Sequence, residues 1–364
     1  MAKTSPITVI AEAGVNHNGS IERALELIRV AADCKADIVK FQTFKASKIT
    51  TGQARQAQYQ IENMGQVETQ QNMLEKLELS ESDHFKLADA CLSSGIEFLS
   101  TPFDVDSLEF LTKHKLIKRI KIPSGELTNL PFILAASRSG LPLILSTGMA
   151  TLGEIEQALM CIAYGLTHAA GIPRRENLLQ AYSSKEGQEL LKKHVIVLHC
   201  TTEYPAPFAE INLKVIRNLR RAFPTPIGFS DHSKGIAIPI ASAALGVCLI
   251  EKHFTLDKEL EGPDHKASLD PLELAAMIDG VRQVELSLGH SIKIPSSSEI
   301  KNRDAARKSL VAACTIETGV RFSQENLVCK RPGSGISAEE FWNVIGKTAR
   351  KTFQADDLID LEEF

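Results

Sequence analysis

The chain is 364 residues long, with 43% hydrophobic and 24% charged residues, values ordinary for a globular protein and wrong for a disordered or fibrous one. Its 41 Lys and Arg against 45 Asp and Glu give a formal charge of −4, no footprint for nucleic acid or an anionic membrane. An anionic small molecule stays open, because a few cations in a cleft bind one whatever the net charge.

The opening MAKTSPITVIAEAG meets an acidic residue after a short apolar run, and no run is long enough to cross a bilayer. Cysteines 34, 91, 161, 200, 248, 314 and 329 form no C-x-x-C pair and sit mostly in apolar stretches. Buried free thiols in a reducing cytoplasm are expected.

In chain order, β-branched runs at 7–14, 37–43, 97–103, 119–125, 142–148, 195–201, 226–232 and 249–255 predict strands. They are apolar on both faces, as parallel strands covered by helices must be. Helical stretches alternate with them. Ser20 reads as an N-cap with Ile21, Leu25, Ile28 and Ala32 on the inner face. Thr151 with Glu154 reads as a capping box, and Asp270, Pro271 and Glu273 open a helix running to about Leu288. Eight β-then-α units without a G-x-G-x-x-G predict a (β/α)8 TIM barrel of the α/β class over 1–288. Residues 44–79 and 161–194 read as long loops that shape a substrate pocket. The Ser-rich stretch within 289–303 reads as a linker, and 304–364, with the only Trp (342), as a small second domain.

Function in such barrels sits at the C-terminal ends of the strands. The ends here carry Glu12 and Asn16; Lys40 and Gln42; Ser100 and Thr101; Lys121, Ser124 and Glu126; Ser146 and Thr147. The later strands add His199, Thr201 and Thr202; Ser230, Asp231 and His232; Glu251, Lys252 and His253. Lys40 and Lys121, with hydroxyls at 101, 124, 146 and 230, suit a phosphate and a carboxylate. A Schiff-base lysine is the rival use. His232 and His253 end adjacent strands and suit one metal ion, with water and substrate completing the shell. Mn²⁺ fits imidazole best, with Mg²⁺ or Co²⁺ as alternatives. Glu12 follows an apolar VIA, where burial fits a carboxylate for acid–base work; the alternative is an ion pair with a lysine such as Lys40.

These motifs resemble the sialic acid synthase family over essentially the whole chain. The matching segments include IAEAGVNHNGS (10–20), VKFQTFKA (39–46), FLSTPFD (98–104), KIPSGE (121–126) and ILSTGM (144–149). HCTTEYPAP (199–207), GFSDHSKGI (228–236), EKHFTLDK (251–258) and GPDHKASL (262–269) continue the match. The tail, RKSLVA through KRPGSGIS (307–337), resembles the family's antifreeze-like domain, of the β-clip or SAF type.

The resemblance implies condensation of phosphoenolpyruvate with an N-acetylated mannose-type sugar to a nine-carbon 2-keto acid and phosphate. It implies phosphoenolpyruvate contacts from Lys40, Thr101, Lys121, Ser124, Ser146, Thr202 and Ser230, and sugar contacts from Gln42, Glu126, Tyr204 and Asp264. Glu12 would be the acid–base residue, His232 and His253 the metal ligands. A domain-swapped homodimer would bring in Arg331 from the partner chain. Phe41 and Thr202 depart from the N-acetylneuraminate branch and resemble the N,N'-diacetyllegionaminate synthase branch. That branch's acceptor is 2,4-diacetamido-2,4,6-trideoxymannose, whose 6-methyl favours an apolar wall. Neuraminate and pseudaminate synthases are the alternatives within the family; a Schiff-base aldolase, and a carbohydrate- or ice-binding protein built on 304–364, are those outside it.

Overall fold

The eight apolar runs form eight parallel strands: β1 (Thr8–Gly14), β2 (Ile38–Thr43), β3 (Glu97–Pro102), β4 (Ile120–Ile122), β5 (Leu143–Ser146), β6 (Val195–Cys200), β7 (Ile227–Asp231) and β8 (Leu249–His253). The structure is a computed structural model that describes residues 6–65 and 67–360. Hydrogen-bonded ladders run from β3 through β2, β1, β8, β7, β6 and β5 to β4, so the sheet curls into a nearly closed barrel. β3 and β4 lie side by side at the seam, with no ladder between them among the described residues. The strands are buried almost throughout, and helices between them cover the outside, as a parallel sheet requires.

The helix caps form where the side-chain chemistry places them. Ser20 Oγ accepts from the Arg23 amide, and Thr151–Glu154 and Asp270–Glu273 are reciprocal capping boxes. The inner face of the helix Ile21–Asp33 differs from the sequence reading: Ala24, Leu27, Ile28 and Ala31 are buried, whereas Leu25 is exposed. The buried face pairs two alanines with Leu27 and Ile28, so small residues share the contact with large ones.

The two long loops contain helices. Residues 44–79 hold the short helices Ala46–Ile49, Gln58–Met64 and Gln70–Glu75. Within 161–194, the helix Leu152–Thr167 continues, and Arg175–Ser183 and Lys185–His194 pack against it and each other. Their periods are too short or too polar to stand out along the chain. Among the cysteines, Cys91, Cys161 and Cys200 are buried, but Cys34, Cys248 and Cys329 are half-buried and Cys314 is exposed; all are free thiols.

A first unit ends at Leu288 and a second begins at Gly289. The second half of the expected linker is not extended: Ser297–Ala306 is a helix, capped by Ser296 with Glu299. No residue of that helix is buried, so it shows no apolar period. Further on, β9 (Ser309–Ala312) pairs antiparallel with β10 (Leu327–Lys330). Leu310, Ile316, Phe322, Leu327, Val344 and Phe353 make a separate small core.

Gly228, inside β7, leaves no room for a side chain: a Cβ there would collide with Leu198 Cδ2 and stand 2.8 Å from the Leu249 carbonyl oxygen. Gly228→Ala is expected to destabilise the protein by about 1–3 kcal/mol through overpacking, read from the urea unfolding midpoint. An unchanged midpoint would mean that the barrel interior has slack.

Candidate active site

Parallel pairing puts the chemistry-bearing residues at one level. Glu12 lies beside Lys40 of β2 on one side and His253 of β8 on the other. Gln42 lies beside Thr101, and Ser230 beside Glu251. Strand alternation turns every second side chain inward. Every barrel residue assigned above to phosphoenolpyruvate, sugar or metal therefore lines one cavity of about 340 Å³. Ser124 and Glu126 reach it from the turn after β4, Thr202 and Tyr204 from the loop after β6, and Asp264 from the loop after β8.

The cavity floor is a buried row of alternating charges. Lys40 Nζ stands 2.7 Å from Glu12 Oε2 and 3.6 Å from Glu251 Oε2, and donates to Thr101 Oγ1 at 3.1 Å. Lys121 Nζ donates to both Glu251 oxygens at 2.7 and 2.8 Å, and Ser230 Oγ donates to Glu251 Oε1 at 2.9 Å. Burial works against ionising Glu251, but Lys121 and Lys40 hold its carboxyl well below the usual range. Burial likewise opposes the Lys40 charge, yet Glu12 and Glu251 keep that ammonium above its ordinary value. Glu12 does form the ion pair with Lys40 that stood as its alternative reading; burial nonetheless pushes its carboxyl up. Burial, with Glu12 nearby, pushes Asp264 up to about 7. Glu251 was visible as one of the polar strand ends, but nothing in the motif set it apart from its neighbours; only the ion pairs show that it links both lysines.

The two histidines meet with ring centroids 5.6 Å apart. His232 Nδ1 lies 2.6 Å from the Thr201 carbonyl oxygen. A carbonyl only accepts, so Nδ1 carries the proton and Nε2 keeps its lone pair. Burial lowers His232 to about 4 and, with His232 beside it, lowers His253 well below its ordinary value; both rings are neutral at pH 7. His253 Nδ1 is buried without a hydrogen-bond partner, 3.9 Å from Asp264 Oδ2. Tyr204 lies over His232 at 4.1 Å between centroids, and Tyr59 lies 5.1 Å beyond Tyr204. Tyr59, from the helix Gln58–Met64, carried no signal in the sequence.

A hydroxyl corner completes the floor. Ser124 Oγ accepts from the Gly148 amide at 3.0 Å, and Thr202 Oγ1 is buried without a partner. A Cβ on Gly148 would strike both hydroxyls, so the glycine of STGM makes room for them. Gln42 Nε2 donates to Glu12 Oε1 at 3.3 Å, and Asn129 Nδ2 donates to Glu126 Oε2 at 2.6 Å.

Several polar strand ends serve the walls instead. Ser100 bonds Thr43, Thr147 donates to the Leu198 carbonyl, and His199 meets the Ile211 carbonyl. Lys252, fully buried, pairs with Asp231 at 2.6 Å and donates to the Ser233 carbonyl, clamping the turn that follows His232. Arg331 belongs to the second unit, where its Nε donates to the Ala306 carbonyl at 3.1 Å.

Comparison with known proteins agrees with this fold. Residues 27–293 match the NeuB family and residues 307–364 the SAF domain. The chain is 46% identical to the N,N'-diacetyllegionaminic acid synthase of Campylobacter jejuni, over 96% of this chain and 98% of that one. It is 42% identical to the protein of the same name from Legionella pneumophila, over 93% and 89%. Among solved structures, the N-acetylneuraminic acid synthetase of Leptospira borgpetersenii in complex with citrate is similar at a TM-score of 0.65 and 32% identity, covering 83% of this chain and 93% of that one. With eight parallel strands curled into a barrel, a SAF domain following in the sequence and these relatives along nearly its whole length, the chain belongs to the NeuB family of sialic acid synthases.

Proposed function

We propose that this protein is an enzyme that condenses phosphoenolpyruvate with 2,4-diacetamido-2,4,6-trideoxymannose and water, giving N,N'-diacetyllegionaminate and phosphate in the cytoplasm. The observation that carries this reading is one cavity holding two lysines, a set of hydroxyls and two neutral imidazoles, in a chain whose relatives at 46% and 42% identity carry that synthase name. No helix among the described residues is long and apolar enough to cross a membrane.

Lys40, Lys121, Thr101, Ser124, Ser146, Thr202 and Ser230 suit the phosphate and carboxylate of phosphoenolpyruvate. Held there, its C3 attacks the sugar aldehyde while positive charge develops at C2. Water adds at C2, and phosphate leaves by C–O cleavage. The aldehyde oxygen must gain a proton and the attacking water must lose one. Glu12 is placed for both transfers, because burial keeps its carboxyl closer to neutrality than a free one. Glu251 keeps both lysines oriented toward the anion. Gln42, Glu126, Tyr204 and Asp264 border the remaining space and suit the sugar. A Schiff-base route fits less well: Lys40 is held as an ammonium, and Lys121 is bound to both oxygens of Glu251.

A divalent metal fits the histidine pair, since His253 Nδ1 is an orphaned buried atom and His232 Nε2 keeps its lone pair, the Ser230 hydroxyl 3.5 Å away giving its proton to Glu251. Among the described residues no group of three or more His, Cys, Asp and Glu is arranged to hold an ion, so water and substrate oxygens would complete the shell. Two imidazoles with oxygens suit Mn²⁺ above Mg²⁺, with Co²⁺ also accommodated. Bound there, the ion would supply Lewis-acid polarisation of the aldehyde.

Phosphate release from phosphoenolpyruvate, assayed with each sugar in turn, tests the reading. The diacetamido 6-deoxy sugar should give a higher kcat/KM than N-acetylmannosamine; the reverse order rejects it. Exhaustive chelation should abolish turnover, with Mn²⁺ restoring it best. His232→Ala and His253→Ala should weaken Mn²⁺ binding in titration calorimetry without changing the unfolding midpoint much. Full activity after chelation removes the metal from the scheme.

The described residues lining the cavity include no arginine, and Arg331 of a partner chain is the planar, bidentate group proposed for the sugar. Glu12→Gln and Arg331→Ala, each inactive alone, are expected to regain about a quarter of wild-type activity when unfolded and refolded together. Half the dimers are then mixed, and each mixed dimer holds one intact site. Activity that stays at the level of the separate variants excludes the swapped homodimer.

A further inference from the structure

The cavity has two halves of opposite chemistry. Its floor is the charged row described above, built from the strands. Over the side of β1, β2 and β3 it is closed by the segment after β2, which brings Ile49, Met73, Leu74 and Leu77 alongside the polar Thr50, Tyr59, Gln60 and Gln70. The helix Gln70–Glu75 and the turn after it present Gln70, Met73, Leu74 and Leu77 to the cavity, the i, i+3, i+4, i+7 spacing of one helical face. Val15, Phe44 and Leu77 are buried together as a small core of their own, with Ile49, Leu74 and Phe103 half-buried against it. Phe44 and Phe103 meet edge to face with centroids 6.1 Å apart. This crescent is preformed and backed by its own packing.

An apolar wall serves no purpose for phosphoenolpyruvate, which is anionic at both ends. It must therefore face the sugar. The aldehyde carbon has to reach the floor to meet C3 of phosphoenolpyruvate, which sends the other end of the six-carbon chain up and away from the strand ends. There the crescent stands. From this we infer that Met73, Leu74 and Leu77, backed by Phe44 and Phe103, are the specificity-determining wall that accepts the 6-methyl group of the acceptor sugar and rejects a 6-hydroxyl. The inference rests on the synthase reading above and names the residues that select among its acceptors. A hydroxyl set against Met73, Leu74 and Leu77 meets no oxygen or nitrogen on those side chains and loses the hydrogen bond it had with water. Gln70, on the same face one turn before Leu74, is the amide placed to meet the neighbouring C4 acetamide.

The test compares two sugars that differ at one atom: 2,4-diacetamido-2,4,6-trideoxymannose and its 6-hydroxylated counterpart, 2,4-diacetamido-2,4-dideoxymannose. The ratio of their kcat/KM values is read from phosphate release by the full-length protein. Wild type should prefer the 6-deoxy sugar by about 10- to 10²-fold, the scale on which an apolar pocket rejects an added hydroxyl. Met73→Gln keeps the side-chain length and adds a hydrogen-bonding group; it should bring the ratio to within a few-fold of one. Leu74→Asn, at a half-buried position, gives a second reading where Met73→Gln fails to fold. The unfolding midpoint and the KM for phosphoenolpyruvate report whether the rest of the site is intact. A wild-type ratio near one, or a wild-type ratio retained by folded variants, overturns the wall. Phosphate release with N-acetylmannosamine but with neither diacetamido sugar overturns the acceptor reading itself, a result distinct from either of those.

Discussion

Glu12, Lys40, Glu251 and Lys121 stand in one buried row with no link longer than 3.6 Å, and the rest of the barrel mouth is arranged around keeping them there. Buried ion pairs rarely add net stability, because desolvation consumes the attraction, whereas removing one partner costs about 3–5 kcal/mol. Such a row is therefore not accounted for by what it contributes to folding. It also constrains the fold. The four residues come from β1, β2, β8 and β4, and Lys121 reaches Glu251 from a strand that does not pair with β8. A flat sheet in this strand order would leave β4 four strands away from β8. Curling the sheet is what brings the second lysine onto the carboxylate.

The same closure divides labour between strands and loops. Strand alternation supplies the fixed charges and imidazoles, with positions set by ladder register and by a covering of apolar side chains. The segment after β2 adds three short helices that bring Tyr59 against Tyr204 and the apolar crescent over the floor. The charged floor and the apolar crescent that face the one cavity thus come from different parts of the chain.

The barrel was legible because its signal is local: apolar runs, caps such as Thr151–Glu154 and Asp270–Glu273, and polar residues at strand ends all survive as patterns along the chain. What escaped depends on relations the chain does not display. Asp231 and Lys252 look like their neighbours Ser230 and Glu251, yet alternation points one pair into the wall and the other into the cavity. The helix Ser297–Ala306 is polar all round and read as a linker, although its Ser296–Glu299 box was present as a signature. Met73, Leu74 and Leu77 fall within 44–79, which read only as a long loop shaping a substrate pocket. Their role needs the knowledge that the other side of the same cavity is charged.

Electrostatics explains why Glu12 and Glu251, alike in type and depth, divide their work. The row is balanced as it stands, two carboxylates against two ammoniums, so a multiply charged anion entering it brings surplus negative charge. That surplus is costly in a site with little water. Glu251 is the carboxylate least able to relieve it by taking a proton, since it is gripped by Lys121 through both oxygens, by Ser230, and by Lys40. Glu12 has a single lysine and one long bond from Gln42, and its burial already favours the neutral form. Glu12, beside His253 at the same level of the barrel, is thus the carboxylate with the weaker hold on its charge, and Glu251 is the one fixed between the two lysines.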